Sequence, residues 1–440
     1  MRRLLLAMAL CLGVLGTAKA QLGLPSLHLP SSLPTTLLPG GLQQSQPGLA
    51  NDLDTSRPQD ARRRIIRDLL HRYPRLLERD PHGEPIVRGE LLVLSPSDAA
   101  LAAAKAAGFS VLREEVLRGL GGRVLVLSVP AGMRTERALA KLRAVDPAAV
   151  YDFNHIYVAS GAADASSLGD SPAVESSSPG PSLARRVRIG LIDDGVDVRH
   201  PVFANALVHT HGCAGKQVPG THGTAVASLM VGQAARFRGA APGAELYAAD
   251  VYCGLPTGGA VDAIAVAFDW LVQQRVPVIN VSLVGPANGM LESVVRSLVA
   301  QGYLIVAAVG NDGPSAPPLY PAAYPGVVGV TAVDGRRRVL IEAERGPQVK
   351  FAAPGADMAA ADPPRSYALV RGTSFAAPIV AGLLAERLGT PDKVLADSAV
   401  MDLAREAVDL GARGIDPVYG YGFVGAEIRP APALASTRAQ

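Results

Sequence analysis

IGLIDDGVD, residues 189–197, is a short apolar run that ends in two carboxylates and a glycine. An apolar run of this length bounded by turn residues reads as a strand covered on both faces. Working outward, four further runs have the same character: ELYAADVY at 245–252, VPVINVSL at 276–283, YLIVAAVG at 303–310 and VVGVTAV at 327–333. Helix-like stretches separate them. Strands alternating with helical crossovers imply a mostly parallel α/β sheet with helices on both faces. In such sheets, sites gather where strands end. Asp193 follows VRIGLI, Ser282 follows INV and Asn311 follows IVAAVG, so three polar residues converge at strand ends.

Two other segments carry matching chemistry. THGTAVASLM starts at Thr221 and RGTSFAAPIVAG at Arg371. A serine hydroxyl is a weak nucleophile until a neutral imidazole takes its proton, and a buried carboxylate must hold that imidazole in the right tautomer. Ser374 is the candidate nucleophile, His222 the base and Asp193 the carboxylate. Asp194 points the other way on a strand, so one of the pair should reach His222. At a helix start, Ser374 also directs its own backbone N–H toward a reacting carbonyl. Each residue alone has a plainer role, as a cap, a core histidine or a turn; together and in this order they point to nucleophilic hydrolysis. A lipase or esterase fails on chain order and on the absent G-x-S-x-G.

The catalytic region, Arg186 to about Arg429, resembles the subtilisin-like serine peptidases. Beyond the triad segments, the resemblance rests on AAVGND at 307–312, INVSLVGP at 279–286, YPAAYP at 320–325, AAPG at 352–355 and YGYGFVGA at 419–426. It implies Asn311 as the oxyanion donor and an extended substrate between two strands. Ser282, Leu283, Val284 and Gly285 would form one wall, with Gly258 and Gly259 part of the other edge. The S1 pocket would lie between Leu283–Gly285 and Ala308–Gly310. Val284 stands where the family usually has glycine, so small or slim P1 residues are expected. The segment after the His222 helix, VGQAARFRGAAP, offers Arg236 and Arg238 in place of the oxygens a calcium loop needs. No metal and no cofactor are therefore expected. A catalytically idle secreted binding or scaffold protein is the alternative, and the complete set of Asp193, His222, Ser374 and Asn311 weighs against it.

The N-terminal part reads as a zymogen. Arg2 and Arg3, the apolar run Leu4 to Leu15 and Ala18-Lys19-Ala20 form an export signal over residues 1–20. Residues 21–59 read as a flexible lead. A helix is expected over Asp60 to Arg79. From Ile86 to Ala159 four strand-like and two helix-like runs give a β-α-β-β-α-β unit. With the helix it occupies the place of the family's prodomain, here 60–159, which the resemblance makes an intramolecular inhibitor and folding aid. Residues 160–185 read as a linker, and 430–440 as a tail. Self-cleavage is expected between about Tyr157 and Arg185.

Composition allows a sizeable buried core. Of 440 residues, 48% are hydrophobic and 18% charged, and the net charge is +3. Neither a clustered basic face nor, at 5% aromatic residues, a stacking surface for nucleic acid is evident. Protein or peptide substrates are the expected partners, in the periplasm or outside the cell, with no stable membrane span. Removing the signal removes Cys11 and leaves Cys213 and Cys253, a candidate disulfide in an oxidising compartment. His209, His211 and Cys213 could instead suggest a metal cluster, though histidines in a glycine-rich loop are usually solvated.

Overall fold

The computed structural model describes residues 58–164, 187–216 and 218–435. The expected export signal, the expected lead up to residue 57, the expected linker from residue 165 onward and the residues after 435 lie outside this description.

The main sheet has seven parallel strands in the order Val349–Pro354, Val328–Val333, Leu304–Ala308, Val278–Val281, Arg188–Asp193, Glu245–Asp250 and Leu207–His211. Successive side chains on a strand face opposite ways. Leu304, Val306 and Ala308 accordingly join one hydrophobic cluster, and Ile305, Ala307 and Val309 the other. Helices Thr221–Val231 and Thr373–Ala385 supply the first face. Helices Val261–Gln273 and Gly289–Ala300 supply the second. The central strands are mostly apolar because both faces are covered, whereas the edge strand Leu207–His211, LVHTH, is only partly buried. Helix Thr373–Ala385 is buried almost throughout, which fits its apolar sequence after Ser374.

Residues 85–159 form a second, antiparallel sheet. Its strand order is Val150–Ala159, Pro85–Leu94, Gly122–Ser128 and Ser110–Leu117. Helices Asp98–Ala106 and Thr135–Val145 connect the strands and close a separate core around Leu91, Val93, Leu125, Leu139 and Leu142. Ser97 caps the first helix, accepting the Ala100 N–H at 3.1 Å. The second has no side-chain cap; Thr135 turns its hydroxyl to Glu78 instead.

The structure corrects two expectations. The helix expected over Asp60 to Arg79 ends at Arg72, and Leu77–Arg79 is a strand paired with Pro85–Val87. Tyr73 precedes Pro74, and a residue before proline is pushed out of the helical region. The expected linker is also structured at its start: Ala162–Asp164 pairs antiparallel with Leu369–Arg371. Among the described residues, no helix is long and apolar enough to cross a membrane.

Candidate active site

Strand Arg188–Asp193 delivers a fully buried Asp193 to the carboxyl edge of the sheet. Its Oδ1 lies 2.8 Å from His222 Nδ1. His222 sits in the first turn of helix Thr221–Val231, with 12% of its side chain exposed and its ring tilted over Phe375. Burial lowers the His222 pKa, but the charge and hydrogen bond of Asp193, joined by the charge of Asp194, leave it raised above 6.5. Asp194 does not reach the imidazole as a partner; it accepts the Gly223 N–H and so ties down the start of the His222 helix. Burial, then the charge of Asp193, push the Asp194 carboxyl up to about 7.

Ser374 is fully buried in the first turn of helix Thr373–Ala385. Its Oγ donates to Ser282 O at 3.0 Å, and Ser282 Oγ donates to Ser374 O at 2.9 Å. Asn280 Nδ2 holds the Ser282 hydroxyl at 2.8 Å. His222 Nε2 has no hydrogen-bond partner among the described residues.

A strand from the N-terminal unit fills the cleft. Val150–Ala159, hereafter the tail strand, runs antiparallel to two segments of the main domain. On one side Tyr157 pairs with Gly259 and Ile156 with Ala260. On the other, Ala159 pairs with Leu283 and Val158 with Val284. A Cβ on Gly258 would lie 2.5 Å from Tyr157 O, so this edge needs bare backbone. The tail then passes directly over the serine. Ser160 O accepts the Ser374 N–H at 3.0 Å, and Ser160 N approaches Ser282 O at 3.4 Å.

Asn311 stands at the same point. Its Oδ1 accepts the Thr373 N–H at 3.2 Å, which turns Nδ2 toward the tail, where it donates to Ser160 Oγ at 3.1 Å. Thr373 Oγ1 lies 3.1 Å from Ser160 Oγ and accepts the Gly310 N–H at 3.2 Å. A half-buried carboxyl, Asp312, and a fully buried one, Glu344, flank this wall. Asp312, 3.7 Å from Arg62 Nε, is pushed up to about 6 by burial, and Glu344 to about 8 by burial and then by Asp312.

Asp193, His222, Ser374 and Asn311 therefore meet at one end of the sheet, with Ser282–Gly285, Gly258, Gly259 and Gly310 around the tail. Ala308 is buried in the strand leading to them. Val284 is buried at 3% exposure. Cys213 and Cys253 are joined as a disulfide across a sequence separation of 40. His209 and His211 do not gather round Cys213: they stack on Tyr247 and Trp270 respectively. Sequence reasoning missed Thr373, Ser160 and Tyr157. Thr373 stood beside the quoted serine, but Ser160 lay in a stretch whose composition reads only as linker.

The arrangement matches known proteins. The family model Peptidase_S8, the subtilase family, covers residues 184–422. Subtilisin DY of Bacillus licheniformis is 30% identical over 249 residues, 55% of this chain and 89% of that protein. Minor extracellular protease Epr of Bacillus subtilis (strain 168) is 30% identical over 247 residues, and there the match spans 54% of this chain but only 38% of Epr. Among solved structures, fervidolysin from Fervidobacterium pennivorans, described as a keratinolytic enzyme related to subtilisin, shares the fold. Its TM-score is 0.62 at 20% identity, over 80% of this chain and 62% of that one. With more than half the chain matched and the site's geometry in place, this protein belongs to the subtilase family of serine peptidases.

Proposed function

We propose that the protein is an exported serine endopeptidase made as a zymogen, and that it cuts itself between Ser160 and Gly161. The observation that carries this reading is the Ser160 carbonyl on the Ser374 N–H at 3.0 Å, with the tail strand paired on both sides like an extended substrate. Ser160 then occupies P1 and Gly161 P1′. A small P1 residue fits the branched Val284 in the S1 wall. The part before the cut is the prodomain, and it stays bound as an inhibitor.

In the reaction, His222 Nε2 takes the proton of Ser374 Oγ, which attacks the Ser160 carbonyl carbon. This requires Ser374 Oγ to leave Ser282 O and turn to the imidazole. The oxygen that gains charge is held by the Ser374 N–H and by Asn311 Nδ2, which exchanges Ser160 Oγ for it. Asp193 stabilises the imidazolium. His222 then protonates the Gly161 nitrogen as the peptide bond breaks, and water hydrolyses the resulting ester by the same route.

Mass spectrometry of the purified protein tests the reading. Expression of the full chain should give a fragment ending at Ser160 and another starting at Gly161, while Ser374→Ala remains uncut. A wild-type mature N-terminus upstream of the tail strand, with full activity, refutes it.

A further inference from the structure

We propose that the pocket for the fourth residue before the cleaved bond selects tyrosine by its hydroxyl, so that this protease cuts best where tyrosine stands at P4. The inference rests on the reading that the tail strand lies as a substrate does. Counting back from Ser160, the P4 residue is Tyr157.

Tyr157 has 0% exposure and is among the largest fully buried side chains of the protein. It joins a hydrophobic cluster shared by both units, which includes Leu92 and Val126 as well as Val261, Ile264, Leu283 and Leu291. Its ring lies on bare backbone: a Cβ on Gly285 would meet Tyr157 Cδ2, Cε2 and Cγ at 2.7–2.8 Å. The body of the pocket is thus apolar and shaped for a flat ring, which phenylalanine would also satisfy.

The far end is different. Tyr157 Oη donates to Pro286 O at 2.5 Å. Behind it, Tyr324 Oη accepts the Asn288 N–H and donates to Asn288 O, both at 2.9 Å. Pro286 and Asn288 are therefore held by side-chain hydroxyls where the chain enters helix Gly289–Ala300. Burial, with Tyr324 adding to it, raises the Tyr157 hydroxyl pKa well above the ordinary value, so the group remains a donor. A phenylalanine would keep the ring contacts but leave Pro286 O, on a half-buried residue, without its hydroxyl donor. Sites that hydrogen-bond a substrate hydroxyl reject the analogue lacking it for this reason. Before substrate arrives, water can satisfy the same carbonyl, so the penalty falls only on the wrong occupant.

Enzyme matured from the full chain should be assayed on eight-residue peptides copied from residues 157–164, YVASGAAD, with Tyr, Phe, Leu or Ala at the first position. Fluorophosphonate labelling of Ser374 is measured in parallel. Tyrosine should exceed phenylalanine in kcat/KM by about 10-fold or more. Tyr157→Phe in the full chain should free activity from the processed complex at correspondingly lower dilution. Labelled enzyme that cleaves Phe within twofold of Tyr, or that cleaves none of the four peptides, overturns the inference and leaves the peptidase reading intact. No labelling and no cleavage would overturn both.

Discussion

On the proposed zymogen reading, Asp269 should set how long the N-terminal unit stays on the enzyme after the cut. It lies in helix Val261–Gln273, at 4% exposure, and its Oδ1 accepts the Gly119 N–H at 2.8 Å and the Leu120 N–H at 2.9 Å. Those two amides sit at the turn between strands Ser110–Leu117 and Gly122–Ser128 of the N-terminal unit. Hydrogen bonds to a charged acceptor contribute about 1.5–3 kcal/mol each. Here they share one oxygen, and the freed carboxylate regains water on dissociation. Asp269→Ala should therefore cost ~2–4 kcal/mol of binding, about 30- to 900-fold in the dissociation constant. Asp269→Asn keeps a neutral oxygen in place and should cost roughly half, ~1–2 kcal/mol. The assay is serial dilution of the self-processed complex into a peptide substrate, reading the concentration at which half the activity appears. The midpoint should rise in the order wild type, Asn, Ala, while kcat/KM of the fully released enzyme stays within about twofold, because this residue is remote from the reacting bond. An unmoved midpoint for Asp269→Ala would refute the reasoning.

The remaining predictions concern the catalytic domain. Ser374→Ala and His222→Ala should each abolish measurable peptidase turnover, and Asn311→Ala should lower kcat by about 10²–10³ with little change in KM; that magnitude is the one known for such a donor in a subtilisin, and a change confined to KM would contradict the oxyanion role. Activity needs neutral His222, whose pKa is raised, so kcat/KM should climb with pH through a midpoint above 6.5. Asp194→Asn removes a charge that favours the imidazolium and should move this midpoint down; a pH–rate profile with the opposite shift argues against it. Replacing Cys213 and Cys253 by serine opens a loop with a separation of 40 residues and should destabilise the domain by roughly 3–4 kcal/mol on the loop-entropy account. Denaturant titration measures this, and two titratable thiols in the unreduced wild-type protein would rule the bridge out.

Local sequence determined whatever depends on burial and on short-range geometry. The apolar runs around Ile189, Ile279 and Ile305 could only be strands covered on both faces, and polar residues at their ends had to lie along one edge of the sheet. Candidate roles for Asp193, His222 and Ser374 came from residue type and context, which chemistry constrains tightly.

Tertiary structure decided what depends on pairing between distant segments. Leu77–Arg79 continues no helix because it finds Pro85–Val87 across a turn. Ser160 to Asp164 looked like linker because serine, glycine and alanine have little side chain to bury. Their ordering comes from backbone hydrogen bonds to Ser374 and to Leu369–Arg371, and such bonds need no particular side chain. The orientation of the Asn311 amide was equally hidden, since Thr373, 62 residues away, sets it. Composition records how much surface a segment can bury. It does not record which distant backbone the segment will meet, and here that meeting lays a stretch of the protein's own chain across its nucleophile.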